Sequence, residues 1–592
     1  MPTVRIPLVG TFNQRGLSGS AALTLSQDQR FMNVAFTVVT NPVTGKSVVY
    51  AEKRAGWGVD SQVSSGLAST GLIKPQGMTS PISAFGETNS AVYLGTINIG
   101  NATGRILHLA ETLISASSYV VMKSSDGTGW YYPDGAKNVT SYTGDTISGN
   151  FLVTTVSVIS DIYPGQLITG GQIGAGARVT SVNVATSTFG LSVAASATST
   201  GAVVTKEPIA KILDSNFKTS VTYQSALVPL DGYLFYATDD GYLNNSALNT
   251  VTSYPSANRI AVQQSPDPTV AVAVQKNYVI AFGIDSNEKY QNAGFSSGSP
   301  MQVTKSQLEH IGTLDQRSVT TIEDDIYYVS TPSEGDIGVY RMRGLQSTRI
   351  STSIVDKILG TASVAGAIYA SSFRLNGYPH AAFVIANAVD GPASNLLLES
   401  GDILLLEDTP GGNLLLEDAA AQSANFVRMV VYNAGLNIWS EWDCNQATFI
   451  DSIGSGTANK LIATSRMSTD GKIYKIDPVA DGQLYRDDTS TYSMEIRTAK
   501  LDFGTNDKKY VREINLVADT VSSTAVSTCS LYWTDDDYRT WKGPLNFDLS
   551  ANKKNVHRLG AHYGGRAYRI VHSANGPFRA EAIEITYDKG LS

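Results

Sequence analysis

The chain has 592 residues and a formal net charge of −8, with 42% hydrophobic but only 16% charged residues. Ser, Thr, Asn and Gly fill the difference, and 53 Gly with 29 Tyr mark a turn-rich β protein rather than a disordered one. An acidic chain is badly suited to gripping nucleic acid, because that binding relies on Lys and Arg displacing counterions from phosphates. The opening MPTVRIPLVG lacks the apolar core of a signal peptide, and no run of about 18 apolar residues suggests a membrane span, so a soluble chain made in a cytoplasm is expected. Cys444 and Cys529 are expected as buried thiols rather than as a disulfide or metal ligands.

In chain order, Ser90–Glu111 is the first segment to read as apolar strands joined by tight-turn residues. The stretch from about Asp145 to Thr205 is almost free of charge and rich in Gly, Ala, Ser, Thr and Val. Its alternation at ARVTSVNV predicts strands, hence a compact all-β insertion. The hairpin grammar returns in Asp231–Ala247, Lys276–Gly294, Asp324–Gly344, Phe426–Asp443 and Lys460–Asp477. Six such units suggest the blades of a β-propeller, with an array of β-sandwiches as the alternative. One helix is expected, over Thr352–Gly360, where Ile354, Val355 and Ile358 share a face and Gly360 can end the turn.

Between residues 395 and 418 the motif Leu-Leu-Leu-acid occurs three times, separated by SGD and TPGG turns. Consecutive leucines on a strand point to both faces, so each rung needs apolar cover on both sides. A small meander or stacked extension acting as a projection or subunit contact is expected. From Met494 the strands lengthen into a sandwich pattern. Thr534–Trp541 (TDDDYRTW) approximates the S-x-D-x-G-x-T-W turn, with Tyr538 at the glycine position.

Motifs of chemistry are mostly missing. There is no Walker loop, HExxH or G-x-S-x-G elbow, and SSDGTGW (Ser124–Trp130) has no Lys to meet a phosphate. His108, His310, His380, His557, His562 and His572 lack ligand spacing. The acid pairs Asp239–Asp240 and Asp324–Asp325 fall in expected turns rather than facing one another as glycosidase carboxylates do. Lys508, Lys509, Arg512, Lys553, Lys554, Arg558, Arg566, Arg569 and Arg579 give the C-terminal part local basic character, read as a solvated face or subunit contact. No catalytic, cofactor-binding or metal residue is assigned, and no cofactor.

Four blocks in order resemble one family. Arg30–Trp57, with its Asn and the strand end Lys53-Arg54-Ala55-Gly56, resembles the N-terminal signature of the tail nozzle (hub, or packaged-DNA stabilisation) proteins of short-tailed phages. Tyr278–Gly294 is similar to their central blade hairpin. Ile311–Leu359 is similar to their blade followed by a short helix, and Val430–Asp443 to their strand-turn pattern with two tryptophans. The insertion at 145–205 and the leucine repeat depart from simpler members.

The resemblance implies an all-β fold: a β-propeller body with an inserted small β module and a C-terminal β-sandwich-like domain. The expected division is an N-terminal arm with first strands (1–56), blades (57–144), the module (145–205), further blades (206–493) carrying the leucine repeat, and the sandwich (494–592). It also implies a non-enzymatic virion protein, assembled in the host cytoplasm as a homo-hexameric ring. The implied partners are the portal adaptor (head–tail connector), tail fibres or tailspikes, double-stranded DNA passing through the lumen, and the host cell surface at the distal end. The alternative is a propeller-type glycan-binding or glycan-degrading tail protein.

Overall fold

The computed structural model describes residues 3–9, 30–40, 45, 47–63, 66–134, 141–217, 225–304, 308–331, 337–362, 368–388, 426–443, 445–453, 460–476, 485–503, 507–521, 528–536 and 538–590. The leucine repeat and Cys444 lie outside them.

Apolar β-branched and aromatic runs of four to eight residues, cut by Gly, Asn and Asp turns, can bury both faces of a short sheet only if neighbouring sheets stack on each side. That is the arrangement found. Among the described residues, seven four-stranded antiparallel blades follow one another. Blade 1 is Ser69–Ile73, Ile82–Phe85, Asn89–Leu94 and Ile97–Thr103. Blade 2 is Ile106–Ile114, Ser117–Ser124, Gly129–Pro133 and the end of Ser199–Lys211. Blades 3, 4 and 5 begin with Val228–Leu230, Thr269–Gln275 and Val319–Ile322. Blade 6 is Ile368–Leu375, Tyr378–Ala388, Phe426–Asn433 and Ile438–Asp443. Blade 7 has Phe449–Ile453, Lys460–Thr464 and Lys472–Ile476, and its fourth strand is Gly58–Gln62 from the start of the chain. Each innermost strand touches the next, and that of blade 7 touches that of blade 1, so the ring is closed.

The period of two does the packing. In Tyr278–Gly283 of blade 4, Val279 and Ala281 enter the core shared with blade 3, while Ile280 and Phe282 enter the core shared with blade 5. Comparable cores lie between blades 5 and 6, where the helix Ser353–Leu359 adds Val355, Ile358 and Leu359, and between blades 6 and 7. The helix starts where expected, with the Thr352 hydroxyl accepting from the Val355 amide.

The insertion grows out of blade 2. Ser199–Lys211 completes the blade with its last residues, while its first half pairs with Ser141–Thr146 and its middle with Gln166–Thr169. A three-stranded sheet of Leu152–Val153, Val179–Asn183 and Thr188–Leu191 covers it. The two sheets enclose a separate core that includes Tyr142, Val153, Ile168, Phe189 and Val204.

The second body is a sandwich. One sheet combines Thr3–Pro7, Val34–Thr40 and Ser47–Lys53 with Arg579–Lys589, Lys509–Ala518 and Asn555–His562. The other contains Met494–Arg497, Ala567–His572, Thr528–Thr534 and Lys542–Asp548, and it is continuous with blade 6. The link is Arg30–Met32, parallel to Ile438–Asp443 and antiparallel to Met494–Arg497. A nine-stranded sheet therefore runs from the propeller axis into the sandwich.

Phe282 is fully buried, with its ring 4.9 Å from that of Tyr328. Phe282→Ala is expected to cost about 3–5 kcal/mol through lost burial and the cavity left behind. Phe295→Ala, at an exposed position, is expected to change stability by less than about 0.5 kcal/mol. Denaturant unfolding of the two variants checks both.

Candidate functional site: the blade–sandwich junction and the propeller axis

The motif Lys53-Arg54-Ala55-Gly56 ends a sandwich strand and enters the propeller, and the structure gives each residue a task. The Arg54 guanidinium is fully buried and forms a two-point ion pair with Asp487, its Nη1 lying 2.8 Å from Oδ1. Its Nε donates to Asn33 Oδ1 at 3.0 Å and its Nη2 to the Asp443 carbonyl at 3.0 Å. The plane rests on the Tyr492 ring, 4.0 Å from its centroid. Asn33 also accepts from the Asp443 amide at 2.9 Å and donates to the Ser493 carbonyl at 2.8 Å. Its φ of 54° is one that Asn tolerates better than most residues.

Asp487 takes the Trp57 amide at 3.0 Å, and the Trp442 indole donates to the Val34 carbonyl at 3.2 Å. A Cβ on Gly56 would stand 1.9 Å from the Arg486 carbonyl oxygen, so the backbones pass too closely for any side chain. Beside this node, burial and the Arg54 charge push the Lys53 ammonium down to about 8. Arg30 pairs with Glu441 through both carboxylate oxygens across the same seam. The residues come from 30–57, 441–443 and 485–493, so propeller and sandwich are clamped by one buried network in which each Arg54 nitrogen meets an acceptor, while the buried Trp57 indole N–H has none among the described residues.

Along the propeller axis lies a cavity of about 310 Å³, walled by the innermost strands and by Arg317, His108, Tyr369 and Asp451. That is room for about ten waters. Arg317 is tied to Asp315, its Nε 2.8 Å from Oδ1, and its Nη1 lies 3.3 Å from the Tyr369 hydroxyl. The Arg317 charge holds the Asp315 carboxyl below its usual range despite burial. Asp451 accepts the Lys74 amide at 2.7 Å, and burial pushes it up to about 6. At one mouth Glu87 bridges Arg105 and Arg466. Arg317, Arg105 and Arg466 are thus balanced locally, and among the described residues Asp451 accepts from the backbone amides of Lys74 and Ser452 rather than sharing a proton with a second carboxylate.

Asp239, Asp240 and Asp324 fall in turns, whereas Asp325 begins the strand Asp325–Ser330 and is buried. Asp240 accepts from the Thr238 hydroxyl, and Asp325 pairs with Arg343 at 2.7 Å. Ser124–Trp130 makes a hairpin turn, in which Asp126 accepts from the Ser124 hydroxyl and the Thr128 amide. Among the described residues no group of three or more His, Cys, Asp or Glu could hold a metal.

Most C-terminal basic residues have partners: Arg566 with Asp535, Arg569 with Glu495, Lys553 with Glu513 and Arg512 with Asp588. In the TDDDYRTW turn, Asp536 accepts from Thr534 and Thr540, while Tyr538 adopts φ 68°, the region where the motif has glycine. Cys529 is buried, its thiol pushed well up by desolvation.

A closed seven-bladed propeller joined to a clamped β-sandwich defines the class of fold. Residues 134–374 match the family described as Bacteriophage P22 Gp10, beta-propeller, which supports a podovirus tail nozzle protein. No curated protein matches. Similar solved structures include the computationally designed Ika8 protein, at 11% identity over 70% of this chain and 99% of that one, with a TM-score of 0.31. Raptor of Chaetomium thermophilum is 9% identical over 72% of this chain and 29% of that one, with a TM-score of 0.32. A family 43 arabinoxylan arabinofuranohydrolase from Bacillus subtilis is 10% identical over 81% and 95%, with a TM-score of 0.20. Overlaps at these scores carry no argument.

Arg54→Met leaves Asp487 buried without its cation and is expected to cost about 3–5 kcal/mol. Adding Asp487→Leu should restore part of that loss, and a double-mutant cycle in denaturant measures the coupling.

The buried His380, His562 and His572 are each pushed down to about 4, chiefly by desolvation. Below their unfolded value of about 6.5 the unfolded chain takes up protons that the folded chain refuses, so acidification destabilises. Asp451 acts oppositely from about pH 6 downward, and the carboxyls of Glu52, Glu207 and Asp443, also raised by burial, act in the same sense as Asp451. Stability is expected to fall between pH 7 and 5, and His572→Leu should lessen that fall by up to about 1.4 kcal/mol per pH unit. Denaturant midpoints at the two pH values provide the check.

Proposed function

We propose that the chain is a structural, non-enzymatic component of the phage tail. Six copies form a ring beneath the portal adaptor, which retains packaged DNA and conducts it during ejection. The observation that carries this reading is the family match over 134–374, which covers the whole insertion, the last strand of blade 2, blades 3 to 5 and nearly all of the first strand of blade 6. Three physical features support it. Blades that bury both faces make a stiff subunit, as a ring under the pressure of a packed genome requires. The axial cavity of about 310 Å³ is far too small for a duplex whose major groove alone is about 12 Å wide. The thread therefore runs through the hole between copies and not through any one propeller.

Six copies carry 6 × −8 = −48 formal charges, and an acidic wall lets a polyanion slide without adhering. The adaptor above, fibres or tailspikes at the flank and the host surface below are the partners in this reading. Glycan hydrolysis is disfavoured, because Arg317 pairs with Asp315 and, among the described residues, Asp451 is the one acid lining the cavity.

Electron microscopy of the purified full chain with its neighbouring ring protein should show six-fold rings with an open lumen. Gel mobility at about 0.15 M salt should show no retardation of duplex DNA. A chain that stays monomeric under both conditions, or one that binds DNA tightly, contradicts the proposal.

A further inference from the structure

The sandwich is an arm whose far end carries exposed aromatic rings. Its strand Arg579–Lys589 begins beside Glu52, next to the Arg54 node, and ends beside Lys509. A strand of that length reaches about 30 Å. At the far end Tyr563 is 68% exposed and Tyr510 38%. The Lys508 ammonium lies against both rings, 5.2 Å from the centre of Tyr510 and 5.5 Å from that of Tyr563. Two buried cations hold the turn that displays Tyr563. Lys509 donates to the Gly564 carbonyl at 3.3 Å, and Arg566 donates to the carbonyls of Leu559 at 2.9 Å and Ala561 at 3.4 Å. A ring already held in place loses little freedom on docking, and tyrosines of this kind are enriched at protein interfaces.

The propeller carries a surface with the complementary need. An open hollow of about 610 Å³ is lined by Leu113, Pro229, Leu230 and Gly232 and by the acids Glu111 and Asp231. A Cβ on Gly232 would stand 3.1 Å from Leu248 Cδ1, so Leu248 borders the same hollow. Leu113 is 64% exposed and Leu248 55%. Neutral donors hold both acids. Glu111 accepts from the Gly77 amide at 2.9 Å and the Ser118 hydroxyl at 2.6 Å, and Asp231 accepts from the Asn292 side-chain amide at 2.9 Å. Among the described residues no Lys or Arg lines the hollow. It is an apolar seat with two negative charges at its edge, suited to an aromatic side chain that brings an ammonium with it.

The order of the blades relates the two surfaces. Leu113 leads into the turn between the first and second strands of blade 2, and Asp231-Gly232 is the same turn in blade 3. The sandwich is rooted at the corresponding turns of blade 6: Asn376 donates to the Thr37 hydroxyl at 3.3 Å, and Leu436 packs on the sandwich core. In blades whose strands alternate up and down, all these turns share one face of the disc. Blades 4 and 5 separate blade 6 from blade 3, and blades 7 and 1 separate it from blade 2. Arm and hollow therefore belong to one face but to opposite flanks. Copies related by rotation then turn the arm of one toward the hollow of the next, a heterologous contact that can close a ring.

We propose that the tip of the sandwich, Tyr563 with Tyr510 and Lys508, seats in the hollow of Leu113, Leu230 and Leu248 on a second copy of the chain, the Lys508 ammonium facing the acids there. The proposal rests on the ring reading and names the surfaces that join its subunits.

The test uses two full-length variants, Tyr563→Asp at the tip and Leu113→Asp at the hollow. Both positions are exposed, and thermal midpoints equal to wild type establish that each variant is folded. Mass photometry is run with and without the neighbouring ring protein. Each variant alone should weaken self-association by about 30-fold or more, as expected for the loss of an anchoring side chain. Mixed one to one, the variants should form a dimer and nothing larger, because each retains the half that the other lacks. Variants that assemble like wild type, or folded variants that fail to pair in the mixture, overturn this contact and leave the ring reading standing. Variants that self-associate normally but no longer hold the neighbouring ring protein assign the surfaces to that protein and also overturn the contact. A wild-type chain with no self-association under either condition overturns both readings.

Discussion

The buried charge of Arg54 constrains the whole molecule. A guanidinium removed from water is tolerable only if its donors meet acceptors, and here they meet Asp487, Asn33 and the Asp443 carbonyl. Those acceptors come from three distant parts of the sequence, so the charge is stable only when the sandwich, blade 6 and the segment between blade 7 and the sandwich are all in place. Removing any one partner leaves a buried charge exposed to a low dielectric. The two β bodies are thereby made to fold as a unit rather than as beads on a linker.

Circular closure adds to this. A stack of two-sided blades has no edge that can be left bare, because each blade completes its neighbour's core. The chain closes the circle with Gly58–Gln62, which immediately follows Arg54-Ala55-Gly56 and Trp57. The residue that clamps the sandwich is therefore also next to the strand that locks the propeller. Together they make a subunit suited to load-bearing, in which force applied to the sandwich passes through a continuous nine-stranded sheet to the axis.

Local signals made much of this legible. Six hairpins announced themselves because each joins apolar strands through tight turns, and each lies in a blade. Blade 2 escaped notice because its third and fourth strands, Gly129–Pro133 and the end of Ser199–Lys211, are separated by the insertion. The pairing of Thr3–Pro7 and Ser47–Lys53 with the C-terminal strand Arg579–Lys589 is equally hidden, since register between segments hundreds of residues apart leaves no local trace. At the site, Arg54 and Gly56 stood out in a motif, but Asp487 carries no signature: an isolated Asp near a turn reads as a turn residue. Tyr538 shows the reverse case, a motif broken in sequence whose turn is kept in space.

Propeller and sandwich are one rigid body joined through the Arg54 node. Native-state hydrogen exchange measures this most directly, comparing amides of Tyr278–Gly283 in blade 4 with those of Met494–Arg497 and Arg579–Lys589 in the sandwich. The account expects the slowest amides of both bodies to share one opening free energy and to lose protection together in denaturant. Sandwich amides that open several kcal/mol below the propeller, in a separate step, would contradict it.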